Sequence, residues 1–450
     1  MKKSLIRKTK SLCPVCLADA DSEIEEINGE VYLLKECLKH GHSRTLLSRD
    51  AGYYRKLDEY YFAIMDKEKQ IFEYEIWLTM KCNMDCPICH LGLNRSENKL
   101  IEPSKADFLE FLKINKAPFF VFSGGEPTCR KDLIEVIRIF KKDRRGVTIH
   151  TNGKKLVDVN YLRELKKSGL DRINLQFDGF SKSTYNIFRG EDLLETKLEV
   201  LNNLKKIDMP TDLNITIAKN INDKGIKDIF NFGVRNSFIN SINFFTLCYL
   251  GQVRKWPIES YIMPDEVADM LIGVSDSKLT KKSIFLFQKL HLAIKSLLGQ
   301  RYCLYNQLYL VIRNKKGFES IDKYINLERA EFLLDLYSKI YKKHEKLAKF
   351  ILAIFIPLFL FRLSLFKISG NLLKTIFSYV FHTTAYLKSR KLLFISFCTG
   401  CDPYKFDYSI IHNCQDEIIS SSCTSPVLKN CGRDGDHCIQ NERNGLKVEN

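Results

Sequence analysis

Between residues 74 and 250, short apolar runs alternate with segments of helical period. Six runs predict β-strands, at Glu75–Thr79, Pro118–Phe122, Val147–His150, Arg172–Phe177, Asp212–Ile217 and Ser241–Thr246. The segments between them predict helices, at 104–114, 131–142, 158–168, 194–206 and 224–235. This alternation predicts βα units and a parallel sheet, and six units suit a partial (β/α)6 barrel of the TIM type. Its functional site would lie at the carboxyl ends of the strands.

The chain before and after this core, which we place at 73–250, has a different pattern. Residues 1–48 combine short alternating strands with cysteines and predict a small metal-binding module, which residues 50–72 connect to the core as a helix. Residues 251–395 are basic and increasingly apolar, and residues 396–450 are rich in cysteine and turn residues. We therefore expect two cysteine-rich modules, one at each end.

The apolar run Phe350–Phe361 is interrupted by Pro357 and followed by further apolar residues with scattered basic ones. It is shorter than the about 20 residues that an ordinary membrane-spanning helix needs. We interpret the region as buried or interfacial helices that contact substrate, with peripheral contact to a membrane as the alternative.

Charge and cysteine content narrow the class of protein. The net charge of +16 favours anionic partners such as phosphorylated substrates or anionic lipid, and with no RGG run or RNP-type box we expect no specific nucleic acid. The basic, polar start of the chain lacks the apolar segment of a secretory signal, so we expect a cytoplasmic protein, with membrane association as the alternative. In a reducing compartment, the 15 cysteines indicate metal or cluster ligation rather than disulfides.

Cys82, Cys86 and Cys89 have C-x3-C-x2-C spacing directly after the first predicted strand. Thiolates are the usual ligands of iron–sulfur clusters, and three of them leave one iron of a [4Fe–4S] cubane open for chemistry. A structural zinc site would need a fourth ligand, and the neighbouring His90 is poorly placed to share a metal with Cys89.

Three further polar elements follow the next predicted strands. Gly124, Gly125 and Glu126 form a turn whose glycines permit close backbone approach to a ligand and whose carboxylate can accept from an ammonium group. Asn152 and Asp178 follow strands three and four, where they either bind a ligand or form Asx-type turns. Arg189 is either an anion-binding group or a salt-bridged surface residue.

Together these elements resemble the radical SAM superfamily, in which a [4Fe–4S] cluster binds and reductively cleaves S-adenosylmethionine (SAM). The resemblance implies that Cys82, Cys86 and Cys89 hold the cluster, that Gly124, Gly125 and Glu126 bind the SAM amino group, and that Asn152 and Asp178 line the SAM pocket. It also implies a reductase or a ferredoxin-type electron donor. Ile88 stands where many members have an aromatic residue.

The N-terminal cysteines narrow the resemblance. Cys13, Cys16, Cys37 and His40, with His42 as a substitute for His40, have a spacing suited to tetrahedral zinc or iron, as in a rubredoxin- or zinc-knuckle-like site. Such a head before this core resembles the branch that contains tetraether and membrane-spanning lipid synthases and the pterin methylases of methanopterin biosynthesis.

The C-terminal cysteines predict a further metal site. Cys398, Cys401, Cys414, Cys423, Cys431 and Cys438 are enough for an auxiliary [4Fe–4S] cluster, and a zinc ribbon is the alternative.

Three hypotheses of function follow. The leading one is a radical SAM enzyme that couples lipid chains by forming a C–C bond, because the apolar region could line a tunnel or contact a membrane. The second is a pterin methyltransferase of the radical SAM type, which predicts a small polar pocket. The third is a non-catalytic Fe–S protein for electron transfer or binding.

Overall fold

The structure is a computed structural model, and it describes residues 2–65, 73–91, 102–300, 302–324, 326–360, 390–399, 402–411, 416–420 and 429–433. The chain divides into two compact units. The ribbon unit contains residues 1–70, 230–237 and 262–414, and the core unit contains residues 71–229, 238–261 and 415–450.

The ribbon unit begins with a four-stranded antiparallel sheet. Its strands follow one another in chain order as β1 Lys3–Leu12, β2 Asp19–Ile27, β3 Glu30–Cys37 and β4 Gly41–Ser48. Alternate residues of these strands are buried, among them Ile24, Val31 and Leu33, and they pack with Tyr54 of the helix α1 Ala51–Ile64. The Asp50 side chain caps this helix by accepting from the Tyr53 N–H at 2.9 Å.

The core unit alternates strands and helices as the sequence predicts. In chain order these are β5 Glu73–Thr79, α2 Lys105–Ile114, β6 Phe119–Gly124, α3 Leu133–Lys142, β7 Gly146–Thr151, α4 Val159–Lys167, β8 Arg172–Gln176, α5 Lys182–Arg189, α6 Leu194–Lys206, β9 Thr211–Ile217, α7 Ile226–Arg235 and β10 Ile239–Thr246. Of α7, residues 226–229 belong to the core unit and residues 230–235 to the ribbon unit. Strands β5 to β10 are parallel and neighbour one another in chain order. The prediction of an α/β fold with consecutive βα units is confirmed, and helix α5 is an addition to it.

The two faces of this parallel sheet differ in chemistry. On the helix face, Phe140 of α3 contacts the rings of Phe120 and Phe122 at 4.9 and 5.0 Å between centroids. The strand residues on this face are apolar and fully buried, including Ile76, Phe122, Ile149, Ile173, Leu175, Leu213, Ile215, Ile242 and Phe244. We call the opposite face the inner face. The register of neighbouring strands places mostly polar residues on this face, among them Ser123, His150, Asn174, Gln176, Asp212, Asn214, Thr216, Ser241 and Asn243.

Two later strands extend the sheet of the core unit. Strand β14 Asp416–Ser420 pairs in parallel with β5, and β15 Lys429–Arg433 pairs antiparallel with β14. The other later elements belong to the ribbon unit and are α8 Pro264–Val274, α9 Lys281–Leu297, β11 Asn306–Asn314, β12 Gly317–Ser320, α10 Leu327–Tyr341, α11 Glu345–Leu360, β13 Leu392–Cys398 and α12 Tyr408–Ile411.

The region predicted to be helical thus also contains strands. β11 pairs antiparallel with β12 and with β13, so that Asn306 lies opposite Cys398. Both β11 and β13 are continuous apolar runs, and such runs are consistent with a buried strand as well as with a buried helix. In the described part of the chain, no helix has both the length and the hydropathy that a membrane crossing requires. The apolar residues 361–389 lie outside the described residues.

Candidate functional site

The three cysteines lie on the loop that follows strand β5. The Cys89 N–H donates to the Cys86 carbonyl at 3.0 Å, which makes a tight turn, and Cys82 and Cys86 pack against Met84 and Tyr185.

The Gly-Gly-Glu turn after strand β6 holds the start of the cysteine loop. The Gly125 N–H donates to the Thr79 carbonyl and the Glu126 N–H to the Lys81 carbonyl, both at 2.8 Å. A Cβ on Gly125 would lie 2.4 Å from the Lys81 carbonyl oxygen, and one on Gly124 would lie 2.4 Å from that of Thr79. Glycine is required here by the backbone of the cysteine loop, whereas the sequence suggested close approach to a ligand.

Glu126 connects the carboxyl ends of strands β6 and β7. Its side chain is buried, and its Oε1 accepts from the hydroxyl groups of Thr128 and Thr151 at 2.5 and 2.7 Å. Its Oε2 accepts from the Asn152 N–H at 2.7 Å. A carboxylate oxygen can accept more than one hydrogen bond, so Oε2 retains capacity for an ammonium donor.

Asn152 links strand β7 back to the cysteine loop. Its Nδ2 donates to Oδ1 of Asn83, the residue after Cys82, at 2.7 Å. Its Oδ1 accepts from the Lys154 N–H at 3.0 Å, which is an Asx-type turn. The two roles considered from the sequence therefore coexist, since the side chain forms the turn and also lies beside the cysteines.

Asp178 forms a buried ion pair with Arg189. The guanidinium donates to both carboxylate oxygens, at 2.7 and 2.9 Å, and the Thr216 N–H donates to Oδ1 at 3.2 Å. Burial raises the pKa of the Cys86 thiol, and the positive charge of Arg189 beside it opposes that shift. Arg189 is therefore neither a surface residue nor an unpaired anion binder. It places a cation next to a thiol of the triplet.

Lys197 of helix α6 is a site residue that the sequence analysis missed. Its fully buried ammonium group donates to the Asn152 carbonyl at 2.5 Å and to the Gln176 carbonyl and Oε1 at 2.8 and 2.6 Å. Burial lowers the pKa of Lys197 to about 7, and the carboxylates of Asp178 and Glu126 oppose this. A signal was present, because Lys197 occupies the same helix face as the buried Val200 and Leu204.

The N-terminal ligands converge on one point. Cys13, Cys16, Cys37 and His40 place their ligand atoms within 4.8 Å of one another. The Cys13 Sγ and His40 Nδ1 atoms are 3.6 Å apart, and the Sγ atoms of Cys16 and Cys37 are 3.7 Å apart. Backbone N–H groups of Lys39 and His40 point at the Cys37 thiol and, with the His40 side chain, lower its pKa to about 6. This donor set fits tetrahedral zinc.

The strands around the four-ligand site make buried contacts with the segment 402–411. Lys35, two residues before Cys37, donates to the carbonyls of Leu12 and Pro403, and Ser11 donates to the Phe406 carbonyl. Arg7 is paired with both Asp58 and Asp407. The strands that carry the metal ligands thus also hold the segment that follows the cysteines at 398 and 401.

Four of the six C-terminal cysteines lie outside the described residues, namely Cys401, Cys414, Cys423 and Cys438. Cys398 ends strand β13, and Cys431 lies in strand β15, of which the backbone is described. The auxiliary cluster stays a prediction.

Comparisons with known proteins agree with this geometry. Residues 78–233 match the radical SAM superfamily, and residues 5–49 match the HMPTM N-terminal zinc ribbon domain. A 7,8-dihydro-6-hydroxymethylpterin dimethyltransferase from Methanocaldococcus jannaschii is 32% identical over 308 residues, which are 62% of this chain and 61% of the relative. A probable GTP 3',8-cyclase from Pyrococcus abyssi is 30% identical over 168 residues, 36% of this chain and 53% of the relative. The chain thus spans less than two thirds of each relative's length.

Among solved structures, Streptococcus suis SuiB bound to precursor peptide SuiA is similar with a TM-score of 0.40 and 18% identity, covering 50% of this chain and 48% of that one. A methylornithine synthase (PylB) is similar with a TM-score of 0.38 and 14% identity, covering 50% and 67%.

We expect Gly125→Ala to lower cluster content, because its Cβ would displace the Lys81 carbonyl and with it the cysteine loop. The measurement is iron and sulfide per chain after anaerobic reconstitution. Gly273→Ala is the matched control, since a Cβ there meets nothing within 4 Å. Equal iron content in the two variants would show that the close approach does not position the loop.

We expect Cys37→Ser to reduce zinc from about one ion per chain to near zero. It should also increase amide hydrogen exchange in residues 402–411, because Lys35 and Arg7 hold that segment through the ribbon strands. His42→Ala is the control, as His42 is not in the four-ligand group. Retention of zinc in Cys37→Ser, or its loss in His42→Ala, would contradict the assignment.

Proposed function

Because the chain carries a radical SAM domain at residues 78–233 behind an N-terminal zinc ribbon, we propose that it is a SAM-dependent enzyme that methylates a polar heterocycle of the pterin class. The observation that carries the choice of substrate is the polar inner face of the core sheet. Many of its side chains are partly exposed, including His150, Gln176, Asn214, Thr216 and Asn243, while the strand residues between them are fully buried.

In this proposal Cys82, Cys86 and Cys89 hold three irons of a [4Fe–4S] cluster and leave the fourth for SAM. When bound, such a cluster would supply the electron for reductive cleavage of SAM, and with it radical chemistry at an unactivated C–H bond. Glu126 Oε2 accepts from the SAM amino group, and Asn152 orients the cysteine loop through Asn83. A reductase or ferredoxin-type protein provides the electron.

The polarity of the inner face supports a pterin rather than a lipid as the substrate. Where a carboxamide or hydroxyl group of this face still binds water, an alkyl chain would remove that hydrogen bond without replacing it, which costs about 1–3 kcal/mol for such a group. A pterin ring offers donors and acceptors along its edge and can replace those bonds. This face therefore suits a pterin better than it suits a lipid tunnel.

The names of the two relatives agree with a polar heterocycle as substrate. One names a dihydropterin as the molecule methylated, and the other names GTP. The resemblance to the pterin methylases leaves SAM or a folate-like cofactor as the source of the new carbon.

Lipid coupling is the second candidate, on a separate observation in the ribbon unit. Helices α10 and α11 expose large apolar side chains, with Phe332 71% and Phe350 64% exposed, and Leu347 and Ile354 are also exposed. These residues would contact a membrane or a lipid. In the sequence they follow the strands that form the polar inner face.

The test is anaerobic turnover of the reconstituted, reduced protein with SAM and 7,8-dihydro-6-hydroxymethylpterin. We expect 5′-deoxyadenosine and a pterin heavier by one or two methyl substitutions by mass spectrometry, and neither product with Cys86→Ala. Absence of 5′-deoxyadenosine would overturn the proposal of an enzyme and favour a non-catalytic Fe–S protein. The proposed substrate would change from a pterin to a lipid if the pterin stays unmodified and if coupled lipids form when the gene is expressed in a host without membrane-spanning lipids.

A further inference from the structure

We propose that Lys197 is a positioning residue of the SAM site, which in its charged form holds the ends of strands β7 and β8 together. Strand β7 is followed by Asn152 and strand β8 by Asp178, the two residues assigned to the SAM pocket. Lys197 is fully buried, so it acts through these residues. The inference rests on the part of the proposed function that concerns SAM, and it is independent of the substrate that is methylated.

Lys197 joins the two strands at the point where their pairing ends. Thr151 and Leu175 are the last register partners of β7 and β8. Beyond them, the Lys197 Nζ donates to the Asn152 carbonyl at 2.5 Å and to the Gln176 carbonyl at 2.8 Å. A third hydrogen bond, at 2.6 Å, goes to Gln176 Oε1. We call these three hydrogen bonds the lysine bridge, and they fix the spacing of the two strand ends.

Helix α6 is a fixed support for the lysine bridge. Its Asn203 donates from Nδ2 to two backbone carbonyls of the segment that follows β7, at 3.2 and 2.9 Å. In the same segment Gly153 has a φ of +79°, and a Cβ there would lie 3.4 Å from the Val200 side chain of the helix. The backbone after β7 is therefore packed directly against α6, and the lysine reaches the strand ends from an anchored element.

Two hydrogen-bonded arms lead from Lys197 to the cysteine loop. One arm runs through Asn152 to the side chain of Asn83 in that loop. The other runs through Gln176, whose Nε2 donates to the carboxylate that holds Arg189 beside the triplet. The lysine bridge thus connects the strand ends of the SAM pocket with two parts of the cluster site.

The number of acceptors makes the charge of Lys197 matter. An ammonium group has three N–H donors, and the three acceptors around Nζ engage all of them. A neutral amine has one donor fewer, so loss of the proton releases one of the three acceptors. The lysine bridge is therefore complete only in the charged form.

The surroundings of Lys197 place this change near neutral pH. Burial lowers the pKa of Lys197 to about 7, and the guanidinium of Arg189 acts in the same direction. The carboxylates of Asp178 and Glu126 and the thiol of Cys86 oppose this shift. Since a lysine loses its proton as the pH rises through its pKa, the lysine bridge is complete below about pH 7 and incomplete above it.

The test is the SAM dissociation constant of the full chain with its cluster reconstituted, measured by anaerobic calorimetry near pH 6 and near pH 8.5. We expect Lys197→Met to raise the Kd at least tenfold near pH 6. Near pH 8.5 the ratio of the variant Kd to the wild-type Kd should be at least threefold smaller, because the wild type has then lost part of the lysine bridge. The titration of SAM itself affects both proteins equally and cancels in this ratio.

Two variants of the same helix are the controls. Lys205→Met makes the same substitution at an exposed position and should leave the Kd unchanged at both pH values. Asn203→Ala loosens the segment after β7 without removing a charge, so any increase in its Kd should be the same factor at both pH values. Iron per chain is measured for each variant, so that every Kd refers to chains that hold the cluster.

The outcomes separate this inference from the proposed function. A wild-type protein that does not bind SAM would overturn the proposed function. If the wild type binds SAM, a Lys197→Met Kd within twofold of it near pH 6 would overturn the inference alone. A ratio that is the same at both pH values would do so too, because the role would then be only structural. If Lys197→Met does not hold its cluster, Lys197→Gln, which keeps an uncharged NH₂ group, is measured with the same criteria.

Discussion

The close contact between Gly125 and the cysteine loop is the constraint on which the site depends. A side chain at this position would lie 2.4 Å from the Lys81 carbonyl oxygen, so the Gly-Gly-Glu turn and the loop pack as one body. Glu126 follows at once and binds the end of strand β7, where Asn152 returns to Asn83 in the cysteine loop. These contacts form a closed ring, and a shift in any member would move the three thiols.

Around that ring lie two buried basic side chains, Arg189 and Lys197. Arg189 is held by both oxygens of Asp178 and lies beside Cys86. Lys197 reaches the carbonyls of Asn152 and Gln176 from the helix side. Arg189 is paired with a carboxylate, whereas Lys197 donates three hydrogen bonds to neutral oxygens and burial lowers its pKa to about 7. The same groups thereby connect strands β7 and β8 and shape the electrostatics at the thiols.

The sequence predicted the strands of the core to within about two residues, because their apolar periodicity is strong. The first strand, for example, is predicted at Glu75–Thr79 and lies at Glu73–Thr79 in the structure. The sequence could not show that the glycines pack against the cysteine loop, since that contact joins residues over forty positions apart. Lys197 was recognisable only as a cation in an apolar stripe. The expectation of a lipid tunnel came from one apolar region, whereas the polarity of the inner face emerges only once strand faces are assigned through their register.

The most direct test of the central claim is the EPR spectrum of the reduced, reconstituted protein with and without SAM. A triple Cys82→Ala, Cys86→Ala, Cys89→Ala variant provides the background from any cluster elsewhere in the chain. After subtraction, the account predicts a [4Fe–4S]⁺ signal whose g-values change when SAM is added, because one iron has no protein ligand. No signal left after the subtraction, or a remaining signal that SAM does not change, would contradict it.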